Sequence, residues 1–183
     1  LCSVVAVHVV AVNNECKELL FVLGGAKNDD CAISCVNILN DGTQEFVFKQ
    51  HEESDFKATY CSEVCKYLYE PNASIQKAGC HNVLSQRMGI DKLHPNSQLY
   101  TSNEQLSHFP GRMFEVVDVL GFSKVDIKKV QALQKANITV RNFPESVQQL
   151  RKRLKLSDGG DNYIFATTLA DERKVLVICN KEK

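Results

Sequence analysis

An α+β fold is predicted, with antiparallel β-hairpins first, a connecting α/β region next, and a compact β-α-β-α-β-β domain at the C-terminal end. Three observations lead there. Residues 4–48 hold short runs rich in β-branched and apolar residues, broken by Asn and Gly turns. From residue 72 the apolar residues switch to helical spacing. Beyond residue 110, strand-like and helix-like stretches alternate and then close with two strand-like runs. The expected divisions are 1–58, 59–109 and 110–183.

In order along the chain, residues 4–12 read as a strand, Asn13-Asn14 as a turn that tolerates positive φ, and residues 17–23 as the partner strand. Gly24-Gly25 breaks the chain. Residues 33–39 and 45–48 flank Asn40-Asp41-Gly42 and predict a second hairpin, and the polar residues 51–57 a loop. After a short element at 60–69, Asn72 is the expected N-cap of a helix carrying Ile75, Ala78 and Val83, with Gly89 as its C-cap. His94-Pro95-Asn96-Ser97 is turn chemistry, residues 98–101 a short strand, and His108-Phe109-Pro110-Gly111 the last boundary.

In the C-terminal stretch, residues 113–120 predict a strand. Ser123 with Asp126 makes a capping box for a helix running to about Ala136, and residues 137–142 form the next strand. Pro144 is placed in the first turn of a second helix, whose apolar stripe is Val147, Leu150 and Leu154, and Asp158-Gly159-Gly160-Asp161 ends it. Residues 163–169 and 174–179 complete a hairpin.

The chain has 183 residues, 44% of them apolar, enough for a sizeable core. No run approaches the roughly 18–20 apolar residues of a membrane-spanning helix, and the apolar start lacks a basic flank and cleavage site, so a cytoplasmic protein with no membrane partner is expected. The eight cysteines are then read as free thiols. Cys31 and Cys35, like Cys61 and Cys65, have three residues between them, and Cys80 precedes His81. A strand would hold Cys31 and Cys35 about 13 Å apart, too far for one metal, so no metal site is expected. Adjacent Cys80 and His81 would point about 100° apart on a helix, a poor nucleophile and base pair; no catalytic residue is assigned.

Net charge is zero but unevenly spread: residues 124–156 hold nine basic residues against two acidic ones.

The run Ala136-Asn137-Ile138-Thr139-Val140-Arg141-Asn142-Phe143-Pro144, followed by Leu150-Arg151-Lys152-Arg153-Leu154-Lys155-Leu156 and Asp158-Gly159-Gly160-Asp161 with Phe165-Ala166-Thr167-Thr168, resembles the THUMP-like domain that ends bacterial class I S-adenosylmethionine-dependent methyltransferases. Upstream, Val7-His8-Val9-Val10-Ala11-Val12-Asn13-Asn14-Glu15-Cys16-Lys17-Glu18-Leu19-Leu20 and Tyr67-Leu68-Tyr69-Glu70-Pro71-Asn72-Ala73-Ser74-Ile75 resemble the same proteins. The resemblance implies a Rossmann-like methyltransferase core, missing here, that ends in the hairpin of residues 4–23. It also implies that this chain is the substrate-recognition portion of an RNA methyltransferase, with S-adenosylmethionine held by that core. A Gly-rich turn opening a helix would mark a cofactor site, and Gly24-Gly25 has neither the third glycine nor the helix, so no cofactor-binding residue is assigned here. THUMP domains are associated with RNA, which makes Lys128, Lys129, Arg141, Asn142, Arg151, Lys152, Arg153 and Lys155 the candidate nucleic-acid contacts, the cations neutralising phosphates. The alternative is a structural or dimerisation module that buttresses the core, its basic face merely solvated. Glu70-Pro71-Asn72 is similar to the Asp/Asn-Pro-Pro-aromatic loop of amino-group methyltransferases, but lacks the second proline and the aromatic; a helix cap is its expected role.

Overall fold

Asn13 and Asn14 both adopt positive φ (49° and 63°), the left-handed conformation that Asn tolerates best after glycine, and so close a hairpin of β1 (Val4–Val12) and β2 (Glu15–Leu23). A second hairpin joins β3 (Ala32–Leu39) to β4 (Gly42–Lys49). The computed structural model describes residues 4–25 and 30–181. The sequence predicted the two hairpins but not their union: β1 and β3 pair in parallel, from Ala6 with Ala32 to Val12 with Ile38, giving one sheet of order β2-β1-β3-β4.

The chain divides into two units that alternate along the sequence. The first takes in residues 1–59, 71–90 and 107–112, the second residues 60–70, 91–106 and 113–183.

In the first unit, residues predicted as loop form one helical turn, α1 (Glu52–Asp55). The single helix expected over 72–89 is two, α2 (Ala73–Ala78) and α3 (His81–Met88). Gly79 breaks it with φ 76°, its N–H closing on Ile75 O, a left-handed cap that a residue with Cβ would strain. Asn72 is the N-cap of α2 and accepts from Ile75 N, and Gly89 caps α3, both as predicted. The Glu53 carboxylate receives the amides of Asn82 and Val83 and so caps the start of α3. α2 packs on β1 and β3. Its start is fixed by a polar relay in which Ala73 N–H donates to Asn14 Oδ1, Asn72 Nδ2 to Gln44 Oε1, and Gln44 Nε2 to Gly111 O.

The second unit is built on a seven-stranded sheet of order β6-β7-β5-β8-β11-β10-β9. Its strands are β5 (Tyr67–Pro71), β6 (Asp91–Lys92), β7 (Tyr100–Ser102), β8 (Gly111–Leu120), β9 (Asn137–Arg141), β10 (Asn162–Thr168) and β11 (Lys174–Lys181). Helices α4 (Lys124–Gln131) and α5 (Val147–Leu154) complete the predicted β-α-β-α-β-β order. β10 pairs in parallel with β9 and antiparallel with β11. Alternation along β10 serves two cores. Ile164 and Ala166 meet Val130 of α4 and Leu150 and Leu154 of α5 on one side; Phe165 meets Leu68, Leu93, Leu99 and Phe114 on the other.

The helix ends differ from the prediction. The Ser123–Asp126 capping box forms, but α4 stops at Gln131, and Gln134 turns left-handed at φ 60°. Pro144 lies outside α5, whose N-cap is Ser146 in a second capping box with Gln149. The same helix ends at a left-handed Lys155 (φ 54°), ahead of Asp158-Gly159-Gly160-Asp161.

Candidate nucleic-acid interface

The eight predicted contacts divide into cations at the ends of α4 and α5 and the pair Arg141 and Asn142 at the end of β9. α4 runs into the start of β9, and α5 returns to it: Arg151 Nη1 donates to Ala136 O at 3.4 Å and Ala136 N–H to Ser157 O at 3.1 Å. Lys128 and Lys129 lie in the last turn of α4, and Arg151, Lys152, Arg153 and Lys155 at the end of α5. Leu150 and Leu154 are fully buried, which turns the intervening residues outward. Cations in a last turn also complement the partial negative charge of the helix end.

These cations are not equally available. Arg151 Nη2 pairs with Asp158 Oδ1 at 2.6 Å. Arg153 pairs with Glu145 at 2.5 Å and lies over the Phe122 ring, 4.9 Å from its centroid, with Phe122 stacked on Phe143. Lys129 reaches Asp118 only at 4.0 Å. Lys128, Lys152 and Lys155 are exposed and have no ion pair among the described residues.

At the far end of β9, Arg141 and Asn142 are taken up internally. Arg141 Nη2 donates to Glu70 Oε1 at 2.7 Å, and Glu70 is 2% exposed. The guanidinium also bonds Val140 O, while its Nε is buried with no partner. Asn142, at φ 49°, accepts the Thr168 hydroxyl on its carbonyl at 2.6 Å. Its Nδ2 lies 2.9 Å from His94 Nδ1, which also accepts from Asn96 N–H. With Nδ1 accepting, the ring proton sits on Nε2, 3.1 Å from Glu172 Oε1. Sequence reasoning read His94 only as part of a turn and missed Glu70 and Glu172 as partners; no local signal links residues so far apart. The amino-group methyltransferase motif is divided accordingly, Glu70 pairing with Arg141 and Asn72 capping α2.

Elsewhere the first unit carries an open cleft of about 670 Å³ lined by Ile33, Phe48, Gln50, His51, Glu53, Ser54 and Ala78. Its titratable groups are committed: Glu53 caps α3, and His51 Nδ1 lies 2.8 Å from Asp30, a contact that lowers the Asp30 pKa and raises that of His51. Cys80 starts α3 in contact with the Cys35 thiol; that contact and burial push its pKa far up, the opposite of an activated nucleophile. No helix among the described residues is long and apolar enough to cross a membrane.

Comparison with known proteins divides the chain differently, into consecutive segments. Residues 67–110 match a ferredoxin-like domain family and residues 111–181 a THUMP domain-like family. No curated protein matches the chain. Among solved structures, one described as a "putative methyltransferase" from Porphyromonas gingivalis W83 is 37% identical with a TM-score of 0.93, the match covering 100% of this chain and 47% of that one. The chain thus spans about half the length of that protein and shares its fold throughout, and its residues 111–181 form a THUMP-like domain.

Proposed function

We propose that this chain is the substrate-recognition portion of an S-adenosylmethionine-dependent methyltransferase, that its substrate is RNA, and that it works in the cytoplasm beside a methyltransferase core. The observation that carries the reading is that Lys128 in the last turn of α4 and Lys152 and Lys155 at the end of α5 are exposed and have no ion pair among the described residues. Lysines of this kind lose little on meeting phosphate, because no internal ion pair must break first. Arg151 and Arg153 would serve only by exchanging Asp158 and Glu145 for phosphate.

One strand-to-helix turn of the second unit lacks the Gly-rich approach that S-adenosylmethionine would need. The strand-to-helix turn between β8 and α4 carries one glycine, Gly121, and the amides opening α4 face the Ser123–Asp126 box rather than a ligand. Under this reading the cofactor belongs to the core. The role of this chain is then to hold RNA by its backbone so that a target atom meets the methyl group, remote binding energy being converted into orientation.

A second reading, a structural or dimerisation module, is favoured by β2. Leu19, Leu20, Phe21, Val22 and Leu23 are 43–68% exposed on an edge strand, an apolar patch that calls for a cover. Fluorescence polarisation of labelled bulk tRNA and duplex DNA across a salt series separates the two. Salt-sensitive RNA binding supports the first reading. No binding at low salt, with self-association abolished by Leu20→Lys, supports the second.

A further inference from the structure

Among the described residues two pairs of thiols neighbour one another, and they differ in access to solvent. Cys35 in β3 and Cys80 at the start of α3 are within hydrogen-bonding reach and fully buried. Cys61 and Cys65 are also within reach of one another, but both are only partly buried. They lie in the irregular segment ahead of β5, where the backbone is free of the regular extension that would hold them about 13 Å apart. The segment is fastened at both cysteines: Cys61 N–H donates to Lys92 O at 2.9 Å, and Cys65 N–H to Thr101 Oγ1 at 2.8 Å. Between them Val64 packs into the core around Phe165, and Ser62 O accepts from Arg173 at 2.8 Å. The backbone on both sides of the pair is thus fixed by the fold.

We propose that Cys61 and Cys65 form a reversible intrachain disulfide by exchange with low-molecular-weight disulfides of the glutathione class. Cys61, having given up its proton, attacks one sulfur of the small disulfide. That S–S bond breaks, and the departing thiolate takes up the proton. Cys65 then attacks the Cys61 sulfur of the mixed disulfide, forming the Cys61–Cys65 bond and expelling the second small thiol, which carries away the Cys65 proton. Two protein thiols are oxidised, one small disulfide is reduced to two thiols, and excess thiol reverses both steps. Burial, with the neighbouring Cys61 and Asp91, raises the Cys65 pKa, which disfavours Cys65 as the first attacking thiol. Cys35 and Cys80, enclosed in the first unit's core, are the internal control.

The test is to equilibrate the folded chain in a series of glutathione/glutathione disulfide ratios, block free thiols with iodoacetamide, and map the peptides by mass spectrometry. The expected result is a Cys61–Cys65 linkage short of two hydrogens, reversed by dithiothreitol, with Cys35 and Cys80 still reduced. In Cys65→Ser, one glutathione should be trapped on Cys61, with circular dichroism confirming the fold. Unmodified Cys61 and Cys65 at the oxidising end, separate adducts on both, or a Cys35–Cys80 linkage forming first would overturn the proposal. So would a folded Cys65→Ser chain that takes up no glutathione.

Discussion

At the ends of α4 and α5, Lys128, Lys152 and Lys155 stand in solvent; at the end of β9, Arg141 spends its charge on the buried carboxylate of Glu70 and Asn142 is tied to His94 and Thr168. Both groups belong to the same basic stretch, and counting charge along the sequence treats them alike. The fold does not. A cation facing a buried anion is part of the interior's electrostatic balance, whereas one facing water at a helix end is free to meet a ligand. Arg151 and Arg153 stand between these cases, paired but with partners near the surface.

The largest effect is expected from Arg141→Ala. It takes the ion-pair partner from the buried Glu70 carboxylate and should cost about 3 kcal/mol in chemical denaturation, the low end for a buried pair because Arg141 is itself one-third exposed. Adding Glu70→Gln should recover part of that loss. If Arg141→Ala is neutral for stability, the contrast between the two groups collapses. Ser146→Ala, which removes the cap that starts α5, should cost roughly 1 kcal/mol. Arg151→Ala should cost about 0.5 kcal/mol or less, since Asp158 is 80% exposed and solvent already screens the pair. The smallest effect on stability should come from Lys128→Gln, Lys152→Gln and Lys155→Gln together, each within about 0.5 kcal/mol of neutral. A large loss of stability there would mean that these lysines hold the fold.

What the sequence made legible follows from the range of the interactions. Asn13-Asn14, the Ser123–Asp126 box, Asn72 and Gly89 act within a turn, and their roles could be read directly. The parallel pairing of β1 with β3 joins residues 26 apart, as Ala6 with Ala32, and nothing local encodes it. Pro144 sits outside the helix because a proline suits both the first turn of a helix and the loop before it; Ser146 and Gln149 decide between them through two reciprocal hydrogen bonds. Among the candidate nucleic-acid residues, sequence located the cations but not their partners. A triple charge reversal at Arg151, Lys152 and Arg153, the natural choice from sequence, would break two ion pairs and confuse folding with binding. The three lysines avoid that.

The most direct test of the RNA reading is the salt dependence of tRNA affinity for the chain and for the combined Lys128→Gln, Lys152→Gln, Lys155→Gln variant. If the lysines neutralise phosphates, the slope of log K against log salt should fall by about two to three units in the variant, roughly one for each phosphate left without its lysine, with thermal stability unchanged. An identical slope in the two proteins, or no affinity for tRNA in either at low salt, would contradict the assignment of this surface to nucleic acid.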